Sequence, residues 1–165
     1  MTQSDTLPLC EVSIHIDAPA DTVWDLISDL PRMGEWSPET RRVEWQGGAA
    51  GPTVGTKFKG HNAAGAKKWT TTGTIAECER GRVVSWDVTA YGLPVSRWRY
   101  QITPSGDAGC DVTEQMFDHR WAPTKWAGGL VSGSDHGAAH NSKGMEETLQ
   151  RLKAAAEAQS RGAAG

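Results

Sequence analysis

Six segments of strand-like alternation follow one another before the chain changes to a single long helical pattern. Turn-forming residues separate these segments, which cover residues 42–46, 56–60, 68–79, 83–90, 95–103 and 110–120. A seventh alternating segment precedes them at residues 9–16, where one face carries Cys10, Val12, Ile14 and Ile16. Consecutive strands joined by short turns pair as antiparallel neighbours. The sequence therefore predicts an α+β fold with one continuous antiparallel sheet of about seven strands.

Helical signals lie on both sides of the six consecutive strands. Asp17 and Pro19 mark the start of a first helix, with Asp17 as the expected capping residue. Pro31 ends this helix, and residues 31–36 predict a second short helical turn. Residues 134–158 predict one long amphipathic helix. Its apolar stripe consists of Ala138, Met145, Leu149, Leu152 and Ala156.

Charge and composition exclude several classes of function. The formal net charge is -3, and the short basic pairs are scattered, so the basic face of a nucleic-acid-binding protein is missing. No apolar run approaches the roughly 20 residues of a spanning helix, and the first residues resemble no secretory signal, so we expect no membrane insertion. Cys10, Cys78 and Cys110 form no CxxC motif, which favours a cytoplasmic location.

The length of 165 residues predicts a single domain over residues 1–165. We expect its core to cover residues 9–158, with flexible ends at residues 1–8 and 159–165. The sequence leaves the oligomeric state open, and a homodimer is compatible with it.

Tryptophan is unusually common in this chain. There are eight Trp residues against two Phe and two Tyr. An indole has a broad apolar face and one N–H donor, which suits the wall of a cavity for a ring-bearing or amphipathic small molecule. The alternative is that the indoles fill a core that is short of Leu and Ile. The set as a whole favours the cavity.

Three local sequences resemble one known family. The segment from Ile16 to Ile27, IDAPADTVWDLI, is similar to the opening I-x-A-P…V-W…I/L of the polyketide cyclase/dehydrase and lipid-transport branch of the START-like (SRPBCC) helix-grip superfamily. Residues 33–38, MGEWSP, resemble its short second helix, and residues 109–114, GCDVTE, resemble its last strand. The resemblance covers about residues 9–158.

This resemblance implies a helix-grip fold, in which a curved sheet and two short helices wrap around the long C-terminal helix and leave an internal cavity. Members of the family bind lipids, polyketides, hormones or other hydrophobic molecules, and some catalyse cyclisation or dehydration. The fold alone does not identify which of these activities a member has. The evidence for it has to come from the residues that line the cavity.

Strand alternation predicts which side chains face the cavity. The inward face of residues 110–120 carries Glu114 and Met116, and that of residues 95–103 carries Trp98 and Tyr100. Trp36 is expected at the cavity mouth. The predicted ligand-binding residues are Trp36, Trp69, Trp86, Trp98, Tyr100, Glu114, Met116, Asn141 and Met145.

Glu114 is the candidate for chemistry. A carboxyl group in an apolar lining loses its water, which raises its pKa and lets it act as an acid or a base. If the protein is an enzyme, Glu114 and Tyr100 are the predicted catalytic residues. The alternatives are that an Arg or a Trp N–H satisfies Glu114, or that the alternation is displaced by one residue.

Two further features carry weaker predictions. His136 and His140 are four residues apart, but His140 falls outside the apolar stripe and no third ligand is evident, so we expect neither metal nor cofactor. Residues 121–133 contain Trp121, Trp126 and several glycines, and they could form a gate over the cavity.

The leading functional hypothesis is therefore a binding protein for a hydrophobic, ring-containing small molecule. The second is a polyketide cyclase or dehydratase that uses the cavity carboxylate for acid/base work. The third is a module that binds a protein partner through the outer face of the sheet. The sequence leaves open whether any reaction is catalysed.

Overall fold

A computed structural model describes residues 7–120 and 138–163. The strands are β1 (Cys10–Ile16), β2 (Thr40–Trp45), β3 (Lys57–Ala64), β4 (Lys67–Glu79), β5 (Val83–Ala90), β6 (Leu93–Ser105) and β7 (Gly109–Asp118). The helices are α1 (Ala20–Ser28), a 3₁₀ helix (Leu30–Glu35) and the long α2 (Ala138–Ala163). These elements confirm the predicted α+β class.

The seven strands form one antiparallel sheet in the order β1-β7-β6-β5-β4-β3-β2. Strands β2 to β7 pair in chain order, and β1 lies beside β7 at the far edge. The pairing of β4 with β5 is irregular between Ile75 and Glu77, and that of β5 with β6 between Val88 and Thr89. Such bulges increase the local twist and bend a sheet. The arrangement around α2 is that of a helix-grip fold.

Helix α2 packs against β1 and α1 along one buried stripe. Met145, Leu149, Leu152 and Ala156 are all at most 1% exposed, as the helical pattern predicts. The first residue of the predicted stripe, Ala138, is exposed, so this part of the prediction is wrong. The helix also continues to Ala163, because the alanine-rich segment after Leu152 favours helix beyond the predicted end at residue 158.

Two predicted element boundaries are wrong for reasons that lie in tertiary contacts. Helix α1 begins at Ala20 after Pro19, and no side chain caps it. Asp17 instead donates its backbone N–H to Glu157 Oε1 on α2 at 3.0 Å. Strand β3 continues to Ala64 instead of ending at residue 60, because its pairing with β4 continues to the turn. No helix of the described segments is long and apolar enough to span a membrane.

Candidate functional site

A cavity of about 510 Å³ lies on the concave side of the sheet, between strands β2 to β7 and helix α2. Its walls are mainly apolar and aromatic, with a few polar groups that come from both ends of the sheet. This composition is typical of a site for a small organic molecule.

A row of aromatic rings crosses the sheet and forms part of the cavity wall. The centroids of Phe58 and Trp86 are 6.0 Å apart in an edge-to-face arrangement, and those of Trp86 and Tyr100 are 5.7 Å apart with stacked rings. Trp45 extends the row behind Phe58 at 6.0 Å. Edge-to-face and offset-stacked pairs are the favourable geometries for aromatic rings, so this wall is rigid.

Gly73 on β4 makes the aromatic row possible. It lies directly opposite Phe58 in the β3–β4 pairing. A Cβ atom added at Gly73 would be 2.1 Å from Cζ of Phe58, far inside van der Waals contact. The absence of a side chain therefore lets the Phe58 ring lie across β4 and reach Trp86 on β5.

Glu114 on β7 is the most deeply buried acidic or basic side chain of the described cavity lining. It is 2% exposed and stands opposite Tyr100 in the β6–β7 pairing. Tyr100 Oη donates a hydrogen bond of 2.6 Å to Glu114 Oε1. The other carboxyl oxygen, Oε2, is buried and has no hydrogen-bond partner among the described residues. Buried polar atoms are nearly always paired in native proteins, so this oxygen is a candidate for a hydrogen bond with a molecule in the cavity.

Burial sets the protonation state of this pair. Desolvation raises the pKa of Glu114 from 4.5 to about 8, although the Tyr100 hydrogen bond acts in the opposite direction. Burial, together with the neighbouring carboxyl group, also raises the pKa of Tyr100 well above its usual range. At neutral pH the carboxyl group is therefore mainly protonated. Because Oε1 accepts from Tyr100, we expect the carboxyl proton on Oε2.

A second polar group of residues lies on the other side of the aromatic row. The hydroxyl of Ser37 donates to Thr40 Oγ1 at 3.3 Å, and Thr40 Oγ1 donates to Asn62 Oδ1 at 3.2 Å. Asn62 Nδ2 then donates to Thr71 Oγ1 at 3.3 Å. All four residues line the cavity. They form a continuous hydrogen-bonded chain that ends at Thr71 on β4.

The turn between β5 and β6 contributes to the cavity lining through Tyr91. Tyr91 has a φ of 53°, and its side chain is 84% exposed. His140 and Glu39 line the cavity too, and His140 Nε2 on α2 is 2.7 Å from Glu39 Oε1, which lies just before β2. The contact connects the start of the long helix to the sheet.

The structure places nearly all of the predicted ligand-binding residues around one cavity. Those that line it are Trp69, Trp86, Trp98, Tyr100, Glu114, Met116, Asn141 and Met145. Trp36 is the exception. It is 4% exposed in the core, where the Arg32 guanidinium lies 5.4 Å from its ring centroid, so its predicted place at the cavity mouth is wrong. Contact of the lining residues with a ligand remains a prediction.

Sequence reasoning missed Phe58, Gly60, Asn62 and Thr71, which also line the cavity. Phe58 and Gly60 lie within the predicted segment 56–60 and would have been found if its alternation had been assigned to a face, whereas Asn62 required the strand to be extended to its true end. Thr71 shares a face with Trp69 on β4, whereas Thr70 and Thr72 are exposed on the other face. The run of threonines concealed this alternation.

Two weaker predictions lie wholly or partly outside the described residues. The possible gate at residues 121–133 is one of them, and His136 of the histidine pair is the other. His140 was expected outside the apolar stripe of α2; its side chain is 46% exposed, and it also lines the cavity.

The seven-stranded sheet, the long helix and the cavity between them define a helix-grip protein. Comparison with protein families gives the same result more specifically, since the model for polyketide cyclase/dehydrase and lipid transport proteins matches residues 9–157. The match covers most of the chain, which therefore belongs to this family. No curated protein is significantly similar to the chain in sequence.

Solved structures with the same fold are distant in sequence. Protein DR_A0006 from Deinococcus radiodurans has a TM-score of 0.65 at 14% identity, with 91% of this chain and 97% of that chain covered. The di-domain ARO/CYC protein StfQ of the steffimycin biosynthetic pathway has a TM-score of 0.64 at 15% identity. The match covers 89% of this chain but only 44% of StfQ. Ms6760 from Mycobacterium smegmatis has a TM-score of 0.61 at 16% identity, with 90% of each chain covered. These likenesses concern the fold alone.

Proposed function

We propose that the cavity binds a neutral, ring-containing small molecule whose carbonyl or other acceptor oxygen receives a hydrogen bond from Glu114. The observation that carries this proposal is the buried carboxyl group with one unpartnered oxygen at the cavity wall. A protonated carboxylic acid donates one hydrogen bond, so its complement is an acceptor.

The surroundings of Glu114 favour a neutral ligand over a carboxylate. Burial and the Tyr100 hydroxyl account for the shifted pKa of Glu114, and no described cation contributes to it. A ligand carboxylate at this position would therefore be desolvated without a compensating positive charge, which is strongly unfavourable. The flat rings of Trp86 and Phe58 provide the apolar surface on which a ring system can pack.

Three probes of the same ring size test this proposal. We expect 1-pyrenecarboxaldehyde to bind more tightly at pH 7 than pyrene, because its carbonyl accepts a hydrogen bond from Glu114. A hydrogen bond is worth about 0.5–1.5 kcal/mol, so the expected preference is about twofold to tenfold. We expect 1-pyrenecarboxylate to bind most weakly. Quenching of tryptophan fluorescence gives the three affinities, and failure of all three probes to bind would overturn the proposal.

Two substitutions of Glu114 separate the hydrogen bond from the ionisation. Glu114→Leu removes the donor, so the aldehyde should lose its advantage over pyrene. Glu114→Gln keeps an N–H donor, so the aldehyde should still bind at pH 7. In the original protein its affinity should fall as the pH rises through about 8, where Glu114 loses its proton, whereas the glutamine variant should lack this decline. An unchanged aldehyde preference in Glu114→Leu would contradict the assigned contact.

A second candidate function is acid/base catalysis on the bound molecule. The pKa of Glu114, raised to about 8, lets this group give up and take back a proton near neutral pH. The family description includes cyclases and dehydrases. In a dehydration, the proton on Glu114 Oε2 would pass to the hydroxyl group, which leaves as water, and the resulting carboxylate would take up the α hydrogen as the carbon–carbon double bond forms. Tyr100 would stabilise the carboxylate between these two proton transfers through its hydrogen bond to Oε1.

Dehydration of 4-hydroxy-4-phenylbutan-2-one to the conjugated enone, followed by absorbance, tests this second candidate. Glu114→Gln should keep aldehyde binding but lower turnover by ~10²-fold or more, because an amide cannot transfer the proton. The exposed Glu146→Gln on α2 is the matched control and should retain full turnover. Turnover that survives in Glu114→Gln would eliminate the catalytic role and leave the binding role intact.

A further inference from the structure

We propose that one end of the sheet docks the protein on an anionic lipid membrane. Exposed apolar side chains of the β5–β6 turn would enter the membrane interface, and basic side chains of β2, β3 and the start of β4 would face the lipid phosphates. The proposal concerns an interaction surface, so it does not depend on which molecule the cavity binds. Docking of this kind leaves the chain at the lipid surface and needs no spanning helix.

The basic charge of the chain is concentrated in residues 40–68. This segment holds six of the seventeen Lys and Arg residues but only one of the twenty Asp and Glu residues, in a chain whose net charge is -3. The single acid, Glu44, lies 3.1 Å from His61 and 3.3 Å from Arg42. All six basic residues are exposed, namely Arg41, Arg42, Lys57, Lys59, Lys67 and Lys68. An anionic surface attracts this segment and repels the acidic remainder, so the charge distribution orients the protein.

Strand pairing places the basic segment and the β5–β6 turn at the same end of the sheet. The last pair before the β3–β4 turn is Ala64 with Lys67, and the last pair before the β5–β6 turn is Ala90 with Leu93. The two hairpins are neighbours because β4 pairs with β5. In a sheet of consecutive antiparallel strands, alternate turns lie at the same end. Basic pairs that are scattered in the sequence therefore come together beside the β5–β6 turn.

The β5–β6 turn exposes apolar side chains in a conformation that disfavours one of them. Tyr91 and Gly92 connect the two strands with positive φ angles of 53° and 77°. A two-residue hairpin turn with this pattern is of type I′ and favours Asn-Gly, so tyrosine at its first position is unfavourable for the backbone. The ring gains little packing in return, since Tyr91 is 84% exposed, and Leu93 is 47% exposed. Exposed aromatic and aliphatic side chains suit a membrane interface.

The same turn belongs to the wall of the cavity. Tyr91, Leu93 and Pro94 are exposed and also line the cavity. A docked protein would therefore have part of its cavity wall at the lipid surface. Apolar molecules partition from water into a bilayer, so a mainly apolar cavity gains access to them there. This arrangement favours a lipid surface over an acidic protein as the partner of the basic segment.

Sedimentation with vesicles tests the proposal. We expect the protein to bind vesicles of phosphatidylcholine and phosphatidylglycerol in equal amounts, less tightly as salt is added, and to bind phosphatidylcholine vesicles much more weakly. Lys67→Gln combined with Lys68→Gln should weaken binding to the mixed vesicles by about tenfold or more. Arg80→Gln combined with Arg82→Gln is the matched control, since it removes the same charge from exposed positions of the β4–β5 turn, at the other end of the sheet. It should leave binding nearly unchanged.

Tyr91→Asn separates docking from folding, because asparagine suits the backbone of the turn. We expect this variant to unfold at a higher urea concentration than the original protein. It should nevertheless bind the mixed vesicles about fivefold to tenfold more weakly, because the apolar area of the ring is lost from the interface. Val54→Asn is the control. Val54 is 62% exposed but precedes β3, at the opposite end of that strand from the basic turn, so its replacement should not affect binding.

Absence of binding to the mixed vesicles would overturn the proposal. Equal binding by Tyr91→Asn and the original protein would also overturn it, and so would equal losses in the two double variants, because net charge alone would then explain the attraction. The affinity for 1-pyrenecarboxaldehyde is measured without lipid. Failure of vesicle binding with intact binding of this probe would therefore leave the proposed function standing, and failure of the probe alone would leave the docking surface standing.

Discussion

Glu114→Gln is expected to remove a pH-dependent loss of stability that reaches about 3 kcal/mol at pH 7. The folded protein raises the pKa of Glu114 from 4.5 to about 8 because the carboxyl group is buried. At pH 7 the Glu114 carboxyl group ionises in the unfolded chain, which lowers the free energy of the unfolded state. In the folded protein this group stays mainly protonated, so the folded state is not stabilised in the same way. The 2.5 pKa units between 4.5 and 7 correspond to ~3 kcal/mol, at about 1.4 kcal/mol per unit. Glutamine does not ionise, so its variant lacks this difference.

The sign of the effect follows from proton linkage. A group that binds its proton more tightly in the folded state stabilises the fold fully below its unfolded pKa. The stability contributed by Glu114 is therefore present below about pH 4.5, declines as the pH rises, and is lost above about pH 8. Relative to the variant, the original protein should lose about 5 kcal/mol between pH 4 and pH 9.

Urea unfolding at pH 5, 7 and 9 measures this prediction. The second amide hydrogen of glutamine adds a cost that is the same at every pH, so the diagnostic quantity is the change in the stability difference with pH. Glu146→Gln, at an exposed position of α2, should give a nearly constant difference over the same range. A constant difference for Glu114→Gln as well would mean that Glu114 ionises in the folded protein as it does in water.

The instability that Glu114 imposes is itself an argument for a binding role. Replacing a buried, half-satisfied polar group by an apolar one is often neutral or stabilising, so packing alone gives no reason to keep a carboxyl group here. A ligand oxygen that accepts the proton on Oε2 would satisfy the group and compensate part of its cost. A ligand with an acceptor oxygen would then recover part of the free energy that the fold loses at Glu114. A ligand without such an oxygen would not, so the protein would select the acceptor ligand.

Most of the fold could be predicted from the sequence because its elements have clear periods. The alternation along β7 and β6 placed Glu114 and Tyr100 on the inner face, and the helical stripe of α2 placed Met145 there. The boundaries were less predictable, because partners distant in sequence decide them. Asp17 is an example: its backbone N–H bonds to Glu157 instead of its side chain capping α1.

The site was less predictable where no period exists or where two strands determine the outcome. Trp36 follows a 3₁₀ helix, so no alternation indicated that its ring turns into the core. The place of Phe58 depends on its partner across the sheet, Gly73, which leaves room for the ring. The run of threonines on β4 did not show which of them faces the cavity, and only the burial along the strand and the cavity lining identify Thr71.

Gly73→Ala is the second substitution for which we expect a large effect. Alanine suits the extended backbone of a strand, and the change from glycine alone would stabilise it by about 0.5–1 kcal/mol. However, the added methyl group would be 2.1 Å from the Phe58 ring, so the ring has to move. Overpacking of this kind costs about 1–3 kcal/mol, and it exceeds the backbone gain. We therefore expect net destabilisation and loss of the contact between Phe58 and Trp86.

Urea unfolding and near-ultraviolet circular dichroism measure the two parts of this prediction, since the coupled rings of Trp86 and Tyr100 adjoin Phe58. Gly51→Ala is the control, because a Cβ atom at Gly51 has open space around it.

In Gly73→Ala combined with Phe58→Leu, the smaller side chain should relieve the collision, so the double variant should be more stable than the sum of the single effects predicts. Strict additivity would show that the two residues do not share this space. If Phe58 is displaced into the cavity, the affinity for 1-pyrenecarboxaldehyde should fall with the stability, because the rigid ring wall on which the probe packs would be lost.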